Sequence, residues 1–106
     1  MKHVITVVVV LLITSSCKKN TPQCITSDTS DFKKSCCSSG ASVKEYDFQG
    51  NQVYVFDPGT CGADQTSEVK NDKCGSLGFL GGITGNTKIN GEDFSNAKYR
   101  KTVWSN

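Results

Sequence analysis

The sequence predicts a small disulfide-stapled α+β domain with a short N-terminal helix and an antiparallel β-hairpin within a sheet. Three observations predict it. Two segments, "SVKEYDF" and "QVYVFD", alternate in polarity on either side of Gly50-Asn51, as paired half-buried strands do. Ser27 or Asp28 can cap a helix running toward Cys37, with Phe32 and Cys36 four apart on one face. Cys24, Cys36, Cys37, Cys61 and Cys74 fall within a chain too short to bury a large core, where covalent staples are expected.

The elements follow in order. Met1-Lys2-His3 is a basic start, and Val4 to Ile13 is apolar except for Thr6. At about 1.5 Å per helical residue the run reaches roughly 15 Å, half a hydrocarbon core. It is too short to span a membrane and suits the apolar region of a secretory signal. Thr14 and Ser16 place small residues at the third and first positions before a cut. Residues 1–16 therefore read as a signal peptide, 17–23 as a tether and 24–106 as one small domain. The helix follows and ends at Ser38-Ser39-Gly40. In the hairpin, Val43, Glu45 and Asp47 oppose Lys44, Tyr46 and Phe48 in facing, and Val53 and Val55 oppose Tyr54 and Phe56. Asp57-Pro58-Gly59 ends the second strand as a turn. Thr60 to Lys73 is polar and reads as loop, with a helical turn near Ser67 to Lys70. "GSLGFLGGITGN" reads as compactly packed backbone, and "GEDFSNA" as a helical turn. "KYRKTVWSN" reads as a last strand, with Tyr99, Lys101 and Val103 on one face and Arg100, Thr102 and Trp104 on the other.

The stretch ending "LLITSSCKKN" resembles a bacterial lipobox, departing from it at Thr14, where such motifs usually carry Leu. The resemblance implies that Cys17 is lipidated and becomes the first residue of the mature chain. At about 0.8 kcal/mol per buried methylene, several acyl chains make a lasting anchor. Lys18 and Lys19 would then sit at the headgroups, each gaining about 1 kcal/mol near anionic lipid. The expected address is the cell envelope, at the outer membrane and facing the periplasm. With Cys17 lipidated, five cysteines remain; without it, six could make three bridges. Connectivity does not follow from sequence. The short-loop expectation is Cys61 with Cys74, and Cys24 with Cys36 or Cys37, each closing roughly a dozen residues for about 3 kcal/mol. Cys36 and Cys37 are not expected to pair with each other, because a vicinal bridge strains the peptide between them.

Composition narrows the chemistry. Once Lys2 is removed with the signal, the twelve Lys and Arg fall to eleven against ten Asp and Glu. That balance argues against a nucleic-acid binder, which needs a clustered basic face. His3 is the one histidine and leaves with the signal, so histidine-based triads and histidine metal ligands are not expected. The glycine-rich run lacks a nucleotide-binding fingerprint. "NTKINGED" loosely suggests a calcium loop through Asn86, Asn90 and Gly91, with Glu92 and Asp93 beyond. Lys88, however, takes a ligand position and no spaced bidentate Glu follows. Asp57 and Asp64 flank Cys61 and could form an acidic pair, although "DPGTCGAD" reads more simply as a disulfide-tied turn.

"VKEYDFQGNQVYVFDPGTCGAD" and "LGFLGGITGNTKINGEDF" resemble the body of small uncharacterised exported lipoproteins of Bacteroidota, a domain-of-unknown-function grouping. The resemblance covers roughly Val43 to Trp104. It implies an envelope location and supports lipidation, and it brings no activity, ligand or catalytic residue. The expected function is a non-enzymatic, lipid-anchored envelope protein that binds or modulates another macromolecule, a protein or a polysaccharide. No cofactor, metal or nucleic acid is expected. The rival expectations are a secreted inhibitor-like or toxin-like module with three disulfides, and an enzyme using Asp57, Asp64 or a thiol at Cys36 or Cys37.

Overall fold

The structure, a computed structural model, describes residues 20–106. The expected signal peptide (1–16), Cys17, Lys18 and Lys19 lie outside the described residues. One helix, α1 (Gln23–Ser35), packs on a five-stranded antiparallel sheet of order β4-β3-β2-β1-β7. The strands are β1 (Ser42–Phe48), β2 (Asn51–Asp57), β3 (Thr66–Asn71), β4 (Ser76–Gly81) and β7 (Lys98–Ser105). A two-stranded ribbon of β5 (Lys88–Ile89) and β6 (Glu92–Asp93), followed by a 3₁₀ turn at Phe94–Asn96, completes the described chain. The domain is thus α+β, as expected.

The helix begins earlier than its polar residues suggest. Pro22, with φ −57°, occupies the cap position, and its carbonyl accepts from the Ile25 and Thr26 amides at 3.0 and 3.1 Å. A proline presets the backbone torsion and has no N–H to leave unpaired, so it starts the helix without a side-chain cap. Ser27 and Asp28, expected as caps, lie inside the helix instead. Ile25, Thr29 and Phe32 form the stripe that meets the sheet, at the spacing of one helical face. The Thr29 hydroxyl turns back to the Ile25 carbonyl at 2.7 Å and so enters the core satisfied. Cys36 is already extended (φ −79°, ψ 174°), which removes it from the face expected to carry it with Phe32.

The β1–β2 hairpin follows the expected alternation, with Ser42 opposite Asp57 and Phe48 opposite Asn51. Gln49 and Gly50 both have positive φ, 52° and 79°, the backbone of a two-residue turn matched to strand twist. Val43, Tyr54 and Phe56 face α1 and bury against Ile25, with Val103 and Trp104 packed alongside. Phe48, Val53 and Val69 face the other way and bury against Ile89 of the ribbon, with Tyr46, Leu77, Leu80 and Phe94 around them. Both faces of the sheet are therefore covered.

Two expectations fail in the second half. Ser67 to Lys70 is not a helical turn in a loop but the middle of β3, paired with both β2 and β4. Its one large apolar residue, Val69, is fully buried. Glu68 and Lys70 occupy the opposite face, so the segment reads as polar and gains its strand state from its neighbours. In β7, two extra residues bulge against β1 between Glu45/Tyr46 and Val43/Lys44. Tyr99 and Thr102 consequently pair on the ribbon face, opposite Tyr46 and Lys44, while Lys101 and Trp104 pair with Glu45 and Val43 on the helix face. Each bulge shifts the facing by one residue, which breaks the simple alternation expected.

The disulfides are Cys24–Cys74 and Cys37–Cys61, with Cα separations of 6.1 and 5.6 Å. The short-loop pairing is thus wrong, for a geometric reason. Cys61 and Cys74 flank β3, whose six residues extend about 20 Å. Cys24 and Cys37 lie at opposite ends of α1, whose thirteen residues also rise about 20 Å. Rigid elements hold the near neighbours apart and bring the distant ones together. Sequence separations of 50 and 24 residues correspond to about 4 and 3.5 kcal/mol of unfolded-chain entropy. Cys36 is half-buried and is the one cysteine unpaired among the described residues.

The chain leaving α1 is held by the Asp57-Pro58-Gly59 turn. The Pro58 carbonyl accepts from the Cys37 amide at 2.9 Å, and the Asp57 carboxylate accepts from the Gly59 amide at 2.9 Å. Asn106 clamps the same segment, accepting from the Ala41 amide and donating to the Cys37 carbonyl, each at 2.9 Å. Gly59 has φ +99°, and a Cβ there would stand 2.7 Å from the Ser39 carbonyl oxygen and 2.9 Å from the Cys37 Cβ. Gly59→Ala should therefore destabilise the domain by about 2–4 kcal/mol, read as a lower midpoint in urea with an unchanged slope; an unshifted midpoint would refute this close approach.

Candidate functional site

A helical stripe and alternate strand residues face each other across an open cleft of about 430 Å³. Asp28, Asp31, Phe32 and Ser35 recur every three or four residues and line one side of α1. Thr66, Glu68 and Lys70 recur every second residue of β3, so all three point to the helix side of the sheet. Phe56 and Pro58 supply the floor, and Phe79 of β4, opposite Glu68, supplies the outer wall.

Lys70 organises the interior. Its Nζ lies 2.7 Å from the Asp28 Oδ2, 4.0 Å from the Glu68 Oε1 and 4.8 Å from the centre of the Phe56 ring. One ammonium thus meets both a carboxylate and an aromatic face in a partly buried setting. Phe32 stands edge-on to Phe56 at 5.3 Å and to Trp104 at 6.3 Å, which locks the helix side of the floor. Phe79 has no such enclosure and is 50% exposed. The cleft carries three carboxylates against one ammonium. Asp31 makes no ion pair among the described residues, and the short contact of Lys70 goes to Asp28 rather than Glu68.

The residues singled out from sequence go elsewhere. Asp57 is occupied by the Gly59 amide, and Asp64 sits at φ 59° in an exposed turn; neither lines the cleft. In the calcium-like stretch, Asn90 and Gly91 have φ 51° and 80° and make the β5–β6 turn. The Asn86 side-chain amide donates to the Phe79 and Lys88 carbonyls. Glu92 accepts from Gln49 and Asn96, both at 3.0 Å, and ties the ribbon to the β1–β2 turn. Asp93 accepts from the Ser95 amide at 2.9 Å, and that backbone bond draws its carboxyl below the usual carboxylate range. These acids brace turns. No group of three His, Cys, Asp or Glu side chains suited to a metal ion occurs among the described residues. Cys36 directs its thiol toward the Lys33 carbonyl at 3.8 Å and lies outside the cleft lining.

Sequence reasoning passed over Asp31, Glu68, Lys70 and Phe79, and assigned Asp28 to a cap. The signal was present as two superposed periods, D-x-x-D-F-x-x-S and T-x-E-x-K, but relating them requires knowing that α1 lies across β3. On the same face of the sheet, Glu45 is buried, accepting from Gln52 at 3.2 Å with Lys101 at 4.0 Å. The neighbouring Tyr54 hydroxyl is fully enclosed, and Glu45 stands beside it without completing a well-formed hydrogen bond. Burial first, and then the Glu45 charge, push the Tyr54 phenol far above its ordinary value.

A raised phenol favours the neutral form in the folded state, so its contribution is complete below about pH 10 and is lost as pH rises toward the folded value. On alkaline titration, one of the three tyrosines should withhold its phenolate absorbance until the fold is lost, and Tyr54→Phe should abolish that delayed step. Phenolate formation from all three before unfolding would contradict the enclosure. Within the cleft, Lys70→Met should cost about 1–2 kcal/mol, and combining it with Asp28→Asn should cost about 0.5–1 kcal/mol less than the two singles summed. Simple additivity in a denaturant double-mutant cycle would show that the pair does not interact.

The family described as Domain of unknown function (DUF6970) matches residues 29–106. The match takes in most of α1's sheet-facing stripe, every strand and the whole cleft except Asp28. No curated protein and no solved structure gives a significant match. The chain belongs to the DUF6970 family.

Proposed function

We propose that this protein is a non-enzymatic, lipid-anchored component of the cell envelope whose stapled domain binds another macromolecule, a protein or a polysaccharide. Cys17 carries the lipid, and the outer membrane, facing the periplasm, is the proposed address. The resemblance to exported lipoproteins of Bacteroidota supports this reading, as does the order of basic start, apolar run and small residues before Cys17. Two disulfides suit an oxidising compartment.

The observation that carries the binding role is the cleft, an open surface of aromatic rings and charges held on a helix and a sheet whose mutual position is stapled. Rigid elements present such a surface at little ordering cost to a partner. Of the two carboxylates that suggested acid–base chemistry, Asp57 is engaged by the Gly59 amide, and neither it nor Asp64 lines the cleft. Cys36 distinguishes the anchored reading from the secreted three-disulfide module, since a third bridge would require Cys36 to reach Cys17.

Intact mass of the protein extracted from its own membranes tests this. The expected N-terminal residue is Cys17 carrying a thioether-linked diacylglyceryl group, and reduction should add two hydrogens for each of two disulfides. One thiol, Cys36, should alkylate without reduction. Cys17→Ser should release the protein from the membrane fraction. An unacylated chain with three disulfides would overturn the anchored reading in favour of the secreted module.

A further inference from the structure

The cleft already shows which chemistry it holds. Lys70 places an ammonium between a carboxylate at 2.7 Å and an aromatic ring at 4.8 Å. The outer half of the same cleft repeats those components with no cation beyond the distant edge of Lys70. Asp31 and Glu68 supply carboxylates and the half-exposed Phe79 supplies a ring; Lys70 makes its short contact with Asp28 and reaches Glu68 only at 4.0 Å, and Asp31 has no ion pair among the described residues. From this repetition we infer that the outer half of the cleft receives the guanidinium of an arginine side chain on a partner polypeptide.

Three features select that occupant. The cleft has an excess of two negative charges over its one ammonium, which attracts a cation and disfavours phosphate, acidic sugars or an acidic peptide. Phe79 lies across from Glu68 on the neighbouring strand, so a group stacked on the ring can bond a carboxylate at its edge. A planar guanidinium does both at once, because it stacks on aromatic faces and donates in a rigid fork. A lysine ammonium is more strongly hydrated and gains less from the ring. The volume, about 430 Å³, admits a side chain and its waters and is too small for a folded element.

The inference rests on the macromolecule-binding reading, and a direct probe separates the two. The full chain, labelled with ¹⁵N and held in non-ionic detergent, is titrated with N-acetyl-arginine amide while the amides of Asp31, Ser35, Glu68 and Phe79 are followed. Saturable shifts at these positions are expected. The lysine counterpart should bind a few-fold more weakly, and the citrulline counterpart, of the same shape without charge, should leave them unmoved. Asp31→Asn with Glu68→Gln should weaken arginine binding about tenfold, equivalent to about 1.4 kcal/mol, and added salt should weaken it further. Phe79→Leu should weaken it and narrow the difference between arginine and lysine. Retained amide dispersion in each variant distinguishes a lost site from a lost fold. Equal binding of citrulline, shifts clustered away from the cleft, or undiminished binding by the Asp31→Asn, Glu68→Gln variant would overturn the inference. That failure would leave anchoring through Cys17, and binding through another face, as they stand.

Discussion

The position of α1 depends on ties at both ends. The helix seats a narrow stripe, Ile25, Thr29 and Phe32, in the core against the sheet, and full burial of a residue such as Ile25 contributes about 1.5–3 kcal/mol. That is little against the ordering of thirteen residues. Cys24–Cys74 joins its start to the β3–β4 connection, and Cys37–Cys61 joins the chain beyond its end to the turn after β2. Between these ties the helix cannot slide or pivot far, and its narrow apolar stripe suffices. The close Gly59 approach, which leaves no room for a Cβ, and the Asn106 side-chain bonds to the Ala41 and Cys37 backbone reinforce the second tie.

The cleft is a consequence of the same arrangement. A helix pinned at both ends and seated on a narrow stripe leaves its adjacent stripe standing over the sheet instead of packed into it. Asp28, Asp31 and Ser35 occupy that stripe. Beneath them β3 presents Glu68 and Lys70 rather than apolar residues, so the gap stays polar along one wall and aromatic along its floor. The Lys70–Asp28 pair spans the gap and sets its width. Stability and recognition therefore draw on the same residues, with the inner cation structural and the outer wall, Phe79 and Asp31, facing solvent.

The other face of the sheet is closed by different means. The β5–β6 ribbon is too short to stand alone, and it is held by Ile89 in the core and by side-chain bonds from Gln49 and Asn96 to Glu92. The two free edges are also treated differently. β7 is bulged twice and carries Lys98, Arg100 and Lys101, features that discourage edge-to-edge pairing. Part of the β4 edge is capped by the chain's own return, through the Gly81–Asn86 bridge and the Asn86 side chain on the Phe79 carbonyl.

Wherever the determining forces were local, the sequence by itself determined the outcome. The β1–β2 hairpin was legible because its alternation and its glycine-containing turn act over a few residues. The 3₁₀ turn near Phe94 and the existence of a helix before Cys37 were legible for the same reason. The start of α1 was misplaced because a proline can replace a capping side chain, and β3 was missed because only its neighbours make a polar segment a strand. Disulfide partners, the facing of β7 and the membership of the cleft were decided by tertiary structure alone. Each depends on distances across the fold, and rigid elements about 20 Å long separate cysteines close in sequence while joining those far apart.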